Sequence, residues 1–72
     1  MSQRIKPPTT ANIRAARMNA KHTQQQAAEV VYRAADSRWR EWESGRHRMD
    51  MAVWELYLIK TNQIDDYLIV DF

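Results

Sequence analysis

The chain has 72 residues, of which 44% are hydrophobic and 28% are charged, and it contains no cysteine. This length allows one domain with one modest core, which excludes a catalytic cleft framed by two domains. The composition is globular rather than disordered, and the lack of cysteine excludes disulfides and thiolate metal sites. No apolar stretch is long enough to span a bilayer, so we expect a soluble cytoplasmic protein without a membrane partner.

The basic residues are concentrated in the first two-thirds of the chain. Residues 1–48 hold ten of the eleven Lys and Arg and four acidic residues, whereas residues 49–72 hold one basic and five acidic residues. This division predicts an anion-binding end, although a charge imbalance of this size can equally serve to solvate a surface. The positions of the charges must decide between the two.

The chain begins with a predicted arm and two helices. Residues 1–9 include the pair Pro7-Pro8, so we expect a flexible basic arm. A helix follows from Thr9 or Thr10, and apolar residues then recur at helical spacing. Thr23 with Gln26 three residues later forms a capping box, which predicts the start of a short second helix.

A third helix is predicted from near Asp36 to Gly45. Trp39 and Trp42 are three residues apart, which places them on one face of this helix, and Gly45 provides the left-handed residue that ends it. Aromatic residues at this spacing are more often core than a platform for stacking single-stranded bases. We therefore interpret both tryptophans as core anchors.

A fourth helix and an apolar tail complete the chain. The helix is expected from Asp50 to about Lys60, with Trp54 in the core, and ends a domain that spans residues 10–61. Residues 62–72 turn and then form a short β-prone tail. The excess apolar surface of this half suggests a homodimer interface. Its candidate residues are Leu56, Ile59, Tyr67, Ile69 and Phe72.

The segment from Gln24 to Gly45, QQQAAEVVYRAADSRWREWESG, resembles the helix-turn-helix of Cro-type and Xre-type phage repressors. It is most similar to small prophage regulators such as the anti-CRISPR-associated repressors, which share a W-x-x-W-E-x-G segment and often a Trp-Glu-Leu further on. Here these match Trp39 to Gly45 and Trp54 to Leu56. The resemblance implies an all-α fold, a compact bundle of four to five helices. It also implies that the protein acts in the cytoplasm of a bacterial host.

The resemblance also assigns roles to individual residues. The Gln that opens the motif, the small residue four places later and the two apolar anchors match Gln24, Ala28, Trp39 and Trp42. The helix-one Arg of the family matches Arg17, and the resemblance implies that it forms an ion pair with Glu43. The chain departs from the family at Tyr32-Arg33, where many members have Gly, and the turn there is one residue longer. The exact base-reading register therefore stays open.

The face of the third helix opposite the tryptophans is polar, as a helix inserted into the major groove requires. The predicted base-reading residues are Asp36, Ser37, Arg40, Glu41 and Ser44. Phosphate contacts are predicted around them, because cations and amides hold phosphates without regard to sequence. These residues are Gln24, Arg33, Arg38, Arg46 and Arg48.

Catalysis and metal binding are not expected. His22 and His47 have no further ligands at metal spacing, and the set Ser44, His47 and Asp50 has no oxyanion pocket, so we expect no enzyme, metal or cofactor. The leading hypothesis is a homodimeric repressor that binds an inverted repeat in double-stranded DNA. The alternative is a protein-interaction module, such as an antitoxin or a phage accessory factor, whose apolar tail captures a partner.

Overall fold

The structure is a computed structural model that describes residues 2–33 and 36–71, with the side chains of residues 5–33 and 36–68. Four helices form the body of the fold in the predicted order, and a short two-stranded ribbon is added to them. In chain order the elements are β1 (Ser2–Ile5), α1 (Thr10–Asn19), α2 (Gln24–Val30), α3 (Asp36–Ser44), α4 (Met51–Lys60), a 3₁₀ turn (Ile64–Tyr67) and β2 (Leu68–Asp71).

Threonine caps begin the first two helices. The Thr9 side chain accepts a hydrogen bond from the Asn12 backbone N–H at 3.0 Å, and the Asn12 side chain accepts one from the Thr9 backbone at 3.1 Å. The predicted capping box of Thr23 and Gln26 is confirmed in the same form. Each box satisfies two helix N–H groups that lack partners within the helix. Asp50 precedes α4 as predicted, but its side chain makes no capping hydrogen bond.

All four helices end at a residue in the left-handed region of backbone conformation. These residues have φ between 60° and 84°. In α1 the His22 N–H then reaches back to the Arg17 carbonyl at 3.1 Å, which closes a Schellman motif. Only α3 uses glycine for this purpose. The four residues are Lys21, Tyr32, Gly45 and Asn62.

The predicted core anchors Ala28, Trp39, Trp42 and Trp54 are all buried, which confirms that interpretation. The ring of Trp39 lies 4.7 Å from that of Tyr57, so the core joins α3 directly to α4. Met49 is also buried and fixes the connection between these two helices.

The two ends of the chain pair as an antiparallel ribbon. Ser2 lies opposite Asp71, and Ile5 lies opposite Leu68. The prediction of a flexible arm is therefore wrong for Ser2–Ile5, and the purely all-α prediction lacked this sheet. The β-prone tail satisfies its backbone groups against the start of the chain, and the buried Ile5 side chain joins the hydrophobic core.

The candidate dimer residues differ in their exposure. Tyr67 packs edge-on against Trp54 with ring centroids 5.2 Å apart, and Leu56 is partly buried against the core. Ile59 is 56% exposed. The side chains of Ile69 and Phe72 lie outside the described residues. Part of the apolar surface expected at an interface is thus covered within the chain itself.

The left-handed helix ends lead to a test of stability. A left-handed conformation costs a non-glycine residue roughly 1–2 kcal/mol. Substitution by glycine removes this cost, but part of the gain in stability is lost because glycine has a larger conformational entropy in the unfolded state. Lys21→Gly should therefore raise the free energy of unfolding by about 0.5–1 kcal/mol in urea titrations. Gly45→Ala is the opposed control and should lower it by about 1 kcal/mol. An unchanged or lower stability of Lys21→Gly would contradict the helix-end assignment.

Candidate nucleic-acid interface

The inner face of α3 is held by aromatic packing. Trp39 and Trp42 meet edge to face with ring centroids 5.6 Å apart, and both side chains are buried. Edge-to-face contact is a favoured geometry for aromatic rings, and burial of two indoles contributes strongly to the core. The opposite face of α3 is thereby directed to solvent.

A single carboxylate, that of Glu43, ties α3 to two other helices. Arg17 of α1 donates from Nε to Glu43 Oε2 at 2.5 Å and from Nη2 to Oε1 at 3.2 Å. The indole N–H of Trp39 donates to Oε2 at 2.5 Å, and the Gln24 side-chain amide of α2 donates to Oε1 at 3.3 Å. The predicted Arg17–Glu43 ion pair is therefore confirmed. The side chains of Arg17 and Glu43 are only 14% and 9% exposed.

The hydrogen bonds at this cluster keep both groups of the ion pair charged. Burial tends to raise the pKa of Glu43, but the bonds from Arg17, Trp39 and Gln24 and the Arg17 charge outweigh it, so this pKa lies below its ordinary value. The bond to Glu43 raises the pKa of Arg17 against the opposing effect of burial. The cluster is thus a charged, hydrogen-bonded connection among α1, α2 and α3.

Gln24 was predicted to contact phosphate, but the structure gives its amide N–H a partner within the chain. The half-buried side chain donates to Glu43, so its amide helps to position α3. The sequence pattern did not reveal this contact, because the two residues lie on different helices.

The α3 face opposite the tryptophans carries the predicted base-reading residues together. Ser37, Arg40 and Ser44 are exposed, and Asp36 and Glu41 are half-buried. Arg40 pairs with Asp36 at 3.5 Å, and Arg38 pairs with Glu41 at 3.4 Å. Exposed pairs of this kind contribute little to stability, so their guanidinium groups can exchange partners at low cost.

The remaining predicted phosphate residues flank this face. Arg33 precedes α3, Arg46 and Arg48 follow it, and all three are exposed. The connection after α3 is ordered by backbone bonds, because the Arg46 and His47 N–H groups both reach the Glu41 carbonyl, at 3.0 and 3.3 Å. His47 was not predicted to contribute here, yet its Nε2 lies 3.6 Å from a Glu41 carboxylate oxygen.

A second polar contact missed by the sequence lies behind the cluster. His22 Nδ1 lies 2.9 Å from the Tyr57 hydroxyl. Burial raises the pKa of Tyr57 to about 12, with Arg17 lowering it and Glu43 raising it. Burial, with help from Asp66, likewise raises the pKa of Tyr67. Both phenols are therefore neutral at ordinary pH.

Across the ranges 2–33 and 36–71, His, Asp and Glu form no group of three suited to holding a metal ion. Within the same ranges, no helix has the length and apolar character needed to cross a bilayer.

No protein-family model matches the chain, and no curated protein sequence matches it.

Glu43, Arg17, Gln24 and Trp39 together form what we call the Glu43 cluster. Removal of its carboxylate should have a large and pH-dependent effect on stability. Glu43→Gln leaves the Arg17 charge poorly compensated and should lower the free energy of unfolding at pH 7 by about 3 kcal/mol. A carboxylate with a lowered folded-state pKa contributes stability above its unfolded pKa of about 4.3 and loses it as the pH falls through the folded value. The difference in free energy of unfolding between the variant and the wild type, measured by urea titration, should therefore become smaller below about pH 4.

Glu41→Gln is the matched control, because it removes a half-buried carboxylate from the outer face of the same helix. It should change the stability by no more than about 0.5 kcal/mol at pH 7. Equal losses in the two variants would show that the Glu43 cluster has no special role.

Proposed function

We propose that this protein is a sequence-specific regulator that binds double-stranded DNA, with α3 inserted into the major groove. The observation that carries the proposal is the two-sided construction of α3. Its inner face is fixed by two buried tryptophans and the Glu43 cluster, and its outer face is polar. A helix that fits the groove must present hydrogen-bonding side chains from a rigid support.

The outer face of α3 supplies the chemistry for reading base edges. Arg40 has the planar fork of donors that matches guanine O6 and N7, and Glu41 can accept from the cytosine amino group. The hydroxyls of Ser37 and Ser44 can bond either donors or acceptors. Asp36 stands at the start of this face and holds Arg40 in the free protein at 3.5 Å. We assign sequence preference to these five residues.

The arginines around α3 supply affinity. Arg33, Arg46 and Arg48 have no carboxylate partner among the described residues, and Arg38 has only an exposed pair with Glu41. Cations next to phosphates release counterions from the duplex, which gives binding that weakens with salt and ignores sequence. The acidic half of the chain would be repelled by the same phosphates.

The acidic residues on α3 would add discrimination. Asp36 and Glu41 lie on the same face as Arg40, so a poorly matched duplex brings these carboxylates near phosphates without compensating base contacts. Specific binding commonly combines attraction to the correct partner with repulsion of others. We further propose that the active form is a homodimer on an inverted repeat and that it acts as a phage or prophage repressor.

Selection of bound duplexes from a random library tests the proposal. The wild type should enrich a short motif, and Arg40→Ala should shift the preferred base at one position, with a loss of about 1–3 kcal/mol at the wild-type site. Arg48→Ala should weaken all duplexes alike and reduce the magnitude of the slope of log K against log salt by about 1. Fluorescence anisotropy at several salt concentrations measures both effects.

Arg14→Ala is the control, since Arg14 is an exposed arginine on α1 to which no DNA contact is assigned. It should leave the selected motif intact. The proposal fails if no motif is enriched, or if both Arg40→Ala and Arg48→Ala bind as the wild type does. Salt-independent behaviour would favour the interaction-module alternative.

A further inference from the structure

The turn between α2 and α3 carries an aromatic residue in a costly conformation. Tyr32 has φ of 65°, and the residue is 73% exposed. A bulky residue in the left-handed region is strained, and here the ring gains little burial in return. Within the chain the ring has a cation–π contact with Lys60, whose Nζ lies 3.9 Å from the ring centroid.

Tyr32 stands beside a recess on the same face of the molecule. Lys60 links the two features, because its Nζ donates to the Tyr32 hydroxyl at 2.6 Å and to the Val30 carbonyl at 3.2 Å. The recess has a volume of about 490 Å³. It is lined by Ala20, His22, Glu29, Val30, Lys60 and Thr61.

We propose that this face is a two-fold interface between two copies of the chain, in which Tyr32 of each copy enters the recess of the other. A two-fold interface uses the same patch on both subunits, so it requires a projection and a recess side by side. Tyrosine is among the residues most enriched in such positions, because it combines a large rigid ring with a polar end. We name this set of residues the Tyr32 face.

The charges of the Tyr32 face are complementary to themselves. Glu29 and Lys60 both line the recess, so a two-fold axis can place Lys60 of one copy against Glu29 of the other. The Tyr32 hydroxyl accepts from Lys60 and keeps its own proton to donate to the partner's carboxylate. Ile59, the residue before Lys60 in the sequence, is an exposed apolar side chain that could add to the contact area.

The recess of the Tyr32 face contains none of the residues proposed to contact DNA. The lining of the recess comes from the ends of α1, α2 and α4 and includes no residue of α3. This proposal deepens the proposed function, since it rests on a repressor that acts as a homodimer, and it places the contact elsewhere than the tail.

Sedimentation velocity without DNA, over a range of protein concentrations, tests the Tyr32 face. The wild type should show a concentration-dependent equilibrium between monomer and dimer. Tyr32→Gly should weaken the dimer roughly tenfold or more, as expected for an aromatic anchor. Glycine suits a φ of 65°, so this variant should unfold at no lower urea concentration, which separates loss of the interface from loss of the fold.

Two further variants sharpen the result. Met18→Ala removes another exposed apolar side chain, outside the recess, and should leave the dimer unchanged. Glu29→Lys should weaken the dimer, and the double variant Glu29→Lys with Lys60→Glu should recover a substantial part of it. A monomeric wild type, or a Tyr32→Gly variant that dimerises normally, overturns the proposal. DNA selection by a monomeric wild type would leave the DNA-binding proposal standing.

Discussion

The arrangement of this protein depends on the Glu43 carboxylate and the donors that surround it. Arg17 of α1, Gln24 of α2 and Trp39 of α3 itself all donate to it, so one largely buried anion fixes the relative positions of the three helices. In a chain of 72 residues the hydrophobic core is modest, and aromatic packing alone allows small rotations of a helix. Directional hydrogen bonds to a charged group restrict those rotations. The orientation of the polar face of α3 follows from this constraint.

In the proposed function, different residues supply the affinity for DNA and the specificity for its sequence. The cations that flank α3 are exposed and mostly unpaired within the described structure, whereas those on α3 itself are paired with carboxylates of the same helix. In the proposed DNA complex, replacing these weak ion pairs by hydrogen bonds to matching base edges would cost little free energy. The same carboxylates become unfavourable when the edges do not match, because they then approach phosphates without a compensating hydrogen bond.

Local features were readable from the sequence, and contacts between distant residues were not. The box of Thr23 and Gln26 and the left-handed Gly45 depend on neighbours a few residues away, so pattern alone placed the start of α2 and the end of α3 well. The Arg17–Glu43 pair was expected only through the resemblance to phage repressors. The strand Ser2–Ile5 was missed because its partner lies at the other end of the chain. The Gln24 contact with Glu43 was missed because the two residues lie on different helices. Nothing local marks Tyr32 as left-handed.

The ribbon has a consequence for the dynamics of the fold. Its two strands pair residues that are almost a full chain length apart, such as Ser2 with Asp71. An isolated pair of four-residue strands is only marginally stable. The entropy of closing so long a loop is affordable only after the helical body has brought Ile5 and Leu68 close together. The ribbon should consequently form last in folding and open first, and its amide hydrogens should exchange with solvent while those of α3 remain protected.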